Sequence, residues 1–457
     1  MQITVVGLGY VGLVTATCLA RLGQEVIGLE ADSEKLRRLE RNEPPFFEPG
    51  LDGELAVQRH EGRLRVTSDA SEALRDPEVV LICVGTPSRP TGEADLRAVD
   101  RVIDSLAREL QNHAVIALRS TVPVGTTRRV EARLNEVLRE HGAPAGVPVF
   151  ANPEFLRTGR AMEDFLRPWR VVLGRTDLPT EEHTERLLTL YRPLDAPTLV
   201  FDAESAELVK NAANAYLATR ISFINELAAL CERAGASIDA VIAGIAGDPR
   251  IGGEYLRPGL GYGGSCLPKD VRSLMAMGIE YGVAMRVARA VDAVNQDQPN
   301  RVADRLAEEL GGLAGRSIGI LGLAFKAETD DIRDSPALSL ARALHRRGAT
   351  VRACDPQASA AVAAREPWIE IADGPAEVAE GADAVVLSTE WPEYVTLDLR
   401  ELASRMARPV LLDARNALDP KGAAAAGLRY LRVGTPAPAP EASRPSALPS
   451  EANRQSA

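Results

Sequence analysis

Apolar and polar positions fall into alternating blocks over the first 200 or so residues. QITVV (2–6) is a short apolar run. VGLVTATCLARLG (11–23) carries its apolar residues at helical spacing, and EVIGLE (25–30) is apolar again. A strand, a helix and a second strand are predicted. Further runs of strand length are VVLICVG (79–85), HAVIALRST (113–121) and PVFANPEF (148–155). From Ala203 to about Gly235 the period becomes helical, with no proline or internal glycine. A helix of about 30 residues, roughly 45 Å long, is predicted there. Helices of that length link domains or form a dimer seam. A second long helix is predicted from about Val283 to Glu309, kinked or broken near Pro299.

At Arg316 the opening pattern returns. RSIGILGLAFK reads as strand and loop, SPALSLARALHRRG as a helix and ATVRACDP as a strand ending in Asp355; ADAVVLSTEW and RPVLLDARN supply later strands. The fold class that follows is α/β, with two doubly wound Rossmann-like domains joined by a long central helix and a helical middle region. The expected boundaries are 1–202, 203–310 and 311–434. The tail 435–457 is rich in proline, serine and alanine, lacks apolar periodicity and is expected to be disordered.

Composition narrows the function. A chain of 457 residues is too long for one core. Its net charge of −11 argues against nucleic acid or a membrane surface as partner, so an anionic ligand needs a local cationic pocket. No apolar run is long enough to span a membrane. The apolar start lacks the basic segment of a signal peptide. Five cysteines without a CxxC pair suit a reducing cytoplasm. Cys18, Cys83, Cys231 and Cys354 fall in predicted helices or strands and read as small core residues. Only five lysines occur (Lys35, Lys210, Lys269, Lys326 and Lys421), and the five histidines lie outside every motif, which disfavours a histidine general base. No metal site is indicated.

Chemistry concentrates at three places. Gly7, Gly9 and Gly12 give a G-x-G-x-x-G turn between strand and helix, with Glu30 ending the next strand. This is the pattern of a dinucleotide site: bare backbone for a pyrophosphate, a helix N-terminus facing it, and an acid for the ribose that favours NAD over NADP. Cys266, in GYGGSCLPKD, sits where glycines leave the backbone bare and Pro268 opens a helix. The helix terminus and Lys269 are expected to favour thiolate, and the glycines to admit a substrate carbon; a redox-sensing or inert turn cysteine is the plainer reading. Lys210 and Asn214, four residues apart, share one face of the long helix. Burial is expected to lower the pKa of Lys210 and suit it to proton transfer or to holding an alkoxide; the plainer reading is a lysine snorkelling from an interface. Glu154 follows Asn152-Pro153 at a strand end, as a fixed carboxylate or a helix cap.

Taken in order, GLGYVGL, GTPS, STVPVGTT, NPEFL, AELVKNAANAYLATRISFINELA, GYGGSCLPKD and GLAFKAETDDIRDSP resemble the motifs of the nucleotide-sugar dehydrogenases, from residue 1 to about 435. The UDP-glucose branch is nearer than the GDP-mannose branch. The resemblance implies NAD-dependent four-electron oxidation of the C6 alcohol of UDP-glucose to UDP-glucuronate, or the same reaction on GDP-mannose or another nucleotide sugar. It implies that Cys266 forms a thiohemiacetal and then a thioester. Lys210 and Asn214 would stabilise the reacting oxygen, Asp270 would support Lys210 or a water, and Glu154 would be the base for hydrolysis, through a water held by Thr121.

By the same resemblance, Tyr10, Val11, Glu30, Lys35, Thr86, Thr121, Thr158, Lys269 and Arg333 join the glycine turn in holding NAD. The sugar nucleotide would meet Glu154, Phe155, Leu156, Arg157 and Thr158, then Tyr255, Leu256, Arg257, Pro258 and Gly259, and also Lys210, Asn214 and Gly263. Lys326, Arg250 and Arg415 would supply the cationic pocket, Arg250 by reaching the partner's site in a homodimer. Thr158 departs from the family pattern, which carries glutamate there, and this bears on the water network of the second oxidation. Two other readings compete: a hydroxyacid dehydrogenase that needs no thiol, and a non-catalytic nucleotide-sugar binder.

Overall fold

The computed structural model describes residues 1–110 and 114–437. His113, the first residue of the expected strand 113–121, and positions 438–457 of the tail lie outside the described residues.

The apolar runs become the strands of two sheets. The first holds β1 (Gln2–Val6), β2 (Glu25–Leu29), β3 (Leu64–Thr67), β4 (Val79–Ile82), β5 (Val115–Leu118), β6 (Val149–Ala151), β7 (Val171–Arg175) and β8 (Thr198–Asp202). Their order is β3-β2-β1-β4-β5-β6-β7-β8, parallel through β6; β7 is antiparallel to β6, and β8 is parallel to β7. The second sheet holds β9 (Ser317–Leu321), β10 (Thr350–Cys354), β11 (Glu370–Ile371), β12 (Ala384–Leu387), β13 (Val410–Asp413) and β14 (Arg429–Arg432), in the order β11-β10-β9-β12-β13-β14, all parallel. In both, the strand order reverses beside the first strand, which opens a crevice at the carboxyl ends.

Several strands are shorter than their apolar runs. After β5 the Arg119 and Ser120 amides both turn to the Ile82 carbonyl, at 2.9 and 3.1 Å. After β6 the Asn152 amide still reaches Leu118 O at 2.8 Å, but Pro153 has no N–H to continue the ladder.

The two sheets repeat one local device. Gly7 (φ +88°) and Gly322 (φ +97°) turn the chain after the first strand of each sheet, a conformation that favours glycine. The acid after the second strand then clasps that turn. Glu30 accepts the amides of Leu8 and Asp32, each at 2.9 Å, on separate oxygens. Asp355 accepts Leu323 and Ala324 on one oxygen (2.7 and 3.0 Å) and Gln357 and Ala358 on the other (2.9 Å each).

Between the sheets runs the helix Ala203–Ala234, 32 residues long. Asp202 caps its start by accepting the Ser205 amide at 2.7 Å, and Gly235 ends it at φ +75°. It packs against the helices Leu267–Glu280 and Arg286–Leu310. The second long helix starts later than expected, after Gly282 (φ +70°) and Met285 (φ +28°) redirect the chain. Pro299 lies inside it without breaking it. The packing of Val302, Ala303, Leu306 and Leu310 with Ile224, Ala228 and Cys231 of the central helix offsets the missing amide. Among the described residues no helix is long and apolar enough to cross a membrane, and no group of His, Cys, Asp and Glu has the arrangement of a metal site.

Candidate active site

The glycine turn fits a dinucleotide. A Cβ on Gly12 would stand 1.8 Å from the Gly7 carbonyl, so helix and strand pack at backbone distance. A Cβ on Gly9 would meet nothing within 4 Å, so the surface over Gly9 is open to a ligand. Gly9 is the N-cap of the helix Tyr10–Arg21 and has no side chain to take its first amides, which face that open side. Val11 is half-buried in the first turn of that helix. Glu30 borders the turn, and Lys35 lies in the first turn of the next helix. The Thr86 hydroxyl donates to the Thr121 carbonyl at 2.7 Å and pins the loops after β4 and β5 together.

Three distant segments meet beyond that turn. Lys210 Nζ stands 3.1 Å from Glu154 Oε1, their side chains 3% and 4% exposed. The other Glu154 oxygen accepts the Leu156 amide at 2.6 Å. One turn along the helix, Asn214 Nδ2 donates to Asp270 Oδ2 at 2.5 Å. Asp270 lies in the first turn of the helix Leu267–Glu280, whose N-cap is Cys266, and its other oxygen pairs with Lys269 at 2.6 Å. Asp270 therefore braces Asn214, and it acts on Lys210 through its charge.

The electrostatics correct two expectations. Burial is the largest influence on Lys210 and pulls its pKa down, but Glu154, Cys266 and Asp270 together outweigh it, so the ammonium is held above the ordinary range. Burial likewise pushes the Cys266 thiol up; Lys210 opposes this, while Glu154 and Asp270 add to it. Lys269, expected to favour the thiolate, is tied to Asp270 instead. Cys266 is thus a half-buried thiol whose pKa is raised by burial, within the field of Lys210, with the Ser265 hydroxyl 3.6 Å from its sulfur. The other four cysteines are buried.

The glycines before the cysteine also have a packing role. The bare backbone at Gly263 and Gly264 faces the second sheet's loop: Cβ atoms there would stand 2.4 Å from the Asp334 carbonyl and 2.8 Å from the Phe325 ring. The Gly264 amide donates to Arg333 O at 2.9 Å. On the side a Cβ would occupy, these glycines seat the cysteine turn against Phe325, Asp334 and Pro336.

The remaining candidates are spread around this centre. The Phe155 ring lies 5.4 Å from Lys210 Nζ, and Arg170 stacks on it at 3.7 Å. Arg157 makes a forked pair with Asp164, at 2.9 and 2.6 Å. The Thr158 side chain lies against the Tyr10 hydroxyl. Tyr255 takes φ +61°, Leu256 and Pro258 are buried and Arg257 is exposed. The backbone of Gly259 is held by Asn225 and Gln298, at 2.8 and 2.6 Å, and packs on the Ala414 carbonyl beside Arg415. Arg415 forks onto Glu390, at 2.6 and 2.7 Å. Burial lowers the pKa of Lys326, against the pull of Glu48 and Glu390. Arg333 is exposed and paired with Asp331 at 2.7 Å. Arg250 is 88% exposed and paired with its neighbour Asp248 at 2.6 Å.

Some positions escape a reading of motifs. Arg119 is a buried cation, donating to Asn152 Oδ1 at 2.9 Å and to the Tyr191 hydroxyl at 3.0 Å; it steadies the loop that carries Glu154. Its place in RSTVPVG, between a strand and the Thr121 loop, is the one sequence signal that could have found it.

Family profiles match this chain in three consecutive parts: the NAD binding domain of the UDP-glucose/GDP-mannose dehydrogenase family over residues 1–195, its central domain over 204–297 and its UDP binding domain over 319–420. The chain is a member of the UDP-glucose/GDP-mannose dehydrogenase family. This dehydrogenase is 42% identical to the UDP-glucose 6-dehydrogenase of Pseudomonas aeruginosa, over 95% of its own length and 98% of that relative. Its backbone superposes on a UDP-glucose dehydrogenase from Pyrobaculum islandicum with a TM-score of 0.87 at 38% identity, covering 95% and 98% of the two chains. A UDP-D-ManNAc dehydrogenase from Pyrococcus horikoshii gives 0.83 at 29%, covering 95% and 99%. The dehydrogenase is an NAD-dependent oxidoreductase, and its NAD binding domain spans residues 1–195.

Two experiments follow from this geometry. Gly12→Ala is expected to cost roughly 1–3 kcal/mol of stability through overpacking, whereas Gly9→Ala stays within about 0.5 kcal/mol of the parent and weakens NADH binding. Denaturant melts and a fluorescence titration separate the two effects. Alkylation of Cys266 by iodoacetamide reports its thiolate. Glu154 raises the thiol pKa and Lys210 lowers it. At one mildly alkaline pH, Glu154→Gln should therefore react several-fold faster than the parent and Lys210→Ala several-fold slower, on the order of tenfold per pKa unit.

Proposed function

We propose that this dehydrogenase oxidises the C6 alcohol of UDP-glucose to UDP-glucuronate, with two NAD⁺ reduced per sugar and Cys266 as the covalent anchor. The observation that carries the reading is the meeting of Cys266, the Lys210–Glu154 pair and the Asn214–Asp270 pair from three separate segments. Bound NAD⁺ supplies the acceptor for hydride from the sugar carbon. In the first oxidation Lys210 and Asn214 face the C6 oxygen as donors and steady it while its proton passes to a water and hydride leaves C6. The Cys266 sulfur then adds to the aldehyde carbon. The thiol's own proton passes to the aldehyde oxygen, which becomes the new hydroxyl, so the thiohemiacetal forms without an external acid. That carbon again bears hydrogen and hydroxyl; its hydride passes to a second NAD⁺, its hydroxyl proton passes to a water, and a thioester is left. Glu154 takes a proton from a water lodged near Thr121, the water oxygen bonds to the carbonyl carbon, the carbon–sulfur bond breaks, and the proton returns from Glu154 to the sulfur to restore the cysteine.

Residues 1–202 hold the coenzyme, 203–310 form the link and 311–434 bind the uridine diphosphate, with Lys326, Arg257 and Arg415 toward its charge. The partner is a second copy of the chain. Tyr216, Phe223 and Leu230 recur every seven residues on the central helix and are 62%, 51% and 62% exposed, which supports a homodimer seam there. Within that dimer Arg250 would enter the partner's site, which fits its exposure in a single chain. Five free thiols fit a reducing cytoplasm.

A panel of nucleotide sugars with NAD⁺ tests the assignment by counting NADH at its absorbance band. UDP-glucose is expected to yield two NADH per sugar, with GDP-mannose and UDP-N-acetylhexosamines far slower. A higher kcat/KM for one of those would reassign the sugar. Cys266→Ser is expected to lose acid formation, and Glu154→Gln to slow turnover by roughly 10²–10⁴-fold while a sugar adduct collects on the peptide bearing residue 266. A slow Glu154→Gln enzyme that never shows that mass would rule out the thioester route.

A further inference from the structure

The segment EPPFFEPG (43–50) joins no motif in the sequence, yet it meets both the helix behind the glycine turn and the loop that follows Glu154. Its two aromatics point opposite ways. Phe46 packs against the core of the first sheet, its ring 4.9 Å from that of Tyr10, the first residue of the helix behind the glycine turn. Phe47 packs beside Ala327 against the core of the second sheet, and its amide lies next to the Asp330 carboxylate. Between the two cores sits Glu48, 5% exposed. One oxygen receives the Tyr10 hydroxyl and the Gly159 amide, the latter at 2.6 Å; the other receives the Ala161 amide at 2.6 Å. Gly159 ends the Glu154–Thr158 loop at φ +79°, where a Cβ would stand 2.7 Å from the Glu328 carbonyl of the second sheet's loop. Lys326, two residues before Glu328, acts on Glu48 through its charge.

The Glu48 carboxylate is therefore shared between the coenzyme turn, through Tyr10, and the sugar loop, through Gly159 and Ala161. Phe47 carries the same segment into the domain assigned to the nucleotide. A buried carboxylate with three donors leaves little freedom to any one of them. We infer that residues 44–50 are a strap, with Glu48 as its positioning residue, that makes the coenzyme and the nucleotide sugar each strengthen the other's binding. With the strap seated, an ordered glycine turn presents Tyr10 to Glu48, and Glu48 in turn orders the loop that receives the sugar. By linkage the effect runs equally in reverse. The inference rests on the coenzyme and substrate assignments above and adds the coupling between them.

Calorimetric titration of UDP-glucose into the full chain, with and without saturating NADH, measures this coupling without turnover, because reduced coenzyme cannot accept hydride. In the parent, NADH should tighten UDP-glucose binding on the order of tenfold, within the usual span of coupling energies. Glu48→Gln keeps the shape and removes the charge, and Phe47→Ala cuts the link to the second domain; each should bring the ratio to within about twofold of one. Where Glu48→Gln fails to fold, Tyr10→Phe, which deletes a single oxygen, gives the same reading. A ratio near one in the parent overturns the strap. So do variants that lose thermal stability but keep the parent's ratio, since that is what a purely structural segment does. Failure of the parent to bind UDP-glucose at all overturns the substrate assignment, and the coupling with it.

Discussion

Two opposite charges withdrawn from water at Lys210 and Glu154 constrain most of this molecule. Each is too buried to stand alone, and removing one partner of such a pair costs about 3–5 kcal/mol because the other charge is stranded. The pair therefore fixes the central helix against the loop after β6. Everything else in the site is measured from that helix. Asn214 follows one turn later and holds Asp270, which sets the first turn of the helix capped by Cys266. A chain of two short polar contacts thus places a sulfur whose own segment is far away in sequence.

Much of this arrangement is legible in the amino-acid sequence alone. The glycine turn, the acid after the second strand and the uninterrupted 32-residue helix are local signals, and local signals survive folding. Spacing is enough to place Lys210 and Asn214 on one face. Contacts between distant segments leave no such signal. Nothing in PPFFEPG announces that its aromatics divide between two cores. Asn225 and Gln298 look like ordinary helix residues until both are seen to hold Gly259.

The electrostatic misreadings have the same origin. A lysine in an apolar helix suggests a depressed pKa, because sequence shows the burial and hides the two carboxylates and the thiol around it. A cysteine at a helix start suggests a thiolate, because sequence shows the lysine beside it and hides the aspartate that claims that lysine. The glycines before Cys266 carry a packing role that sequence hides. Bare backbone signals close approach, but it does not say whether a ligand or another strand end does the approaching.

The repeated clasp of turn by acid has a consequence for how two similar halves can differ. An ionised carboxylate has about four lone-pair directions to offer. Asp355 gives all four to its own backbone, and the Trp391 indole nitrogen stands 3.4 Å away as a further claimant. Glu30 gives two and keeps the others in reserve. A vicinal diol, which must donate twice to one carboxylate, can be received at the first turn and is turned away at the second. The chain thus carries one architecture twice, with its acceptor capacity saturated in one copy and spare in the other.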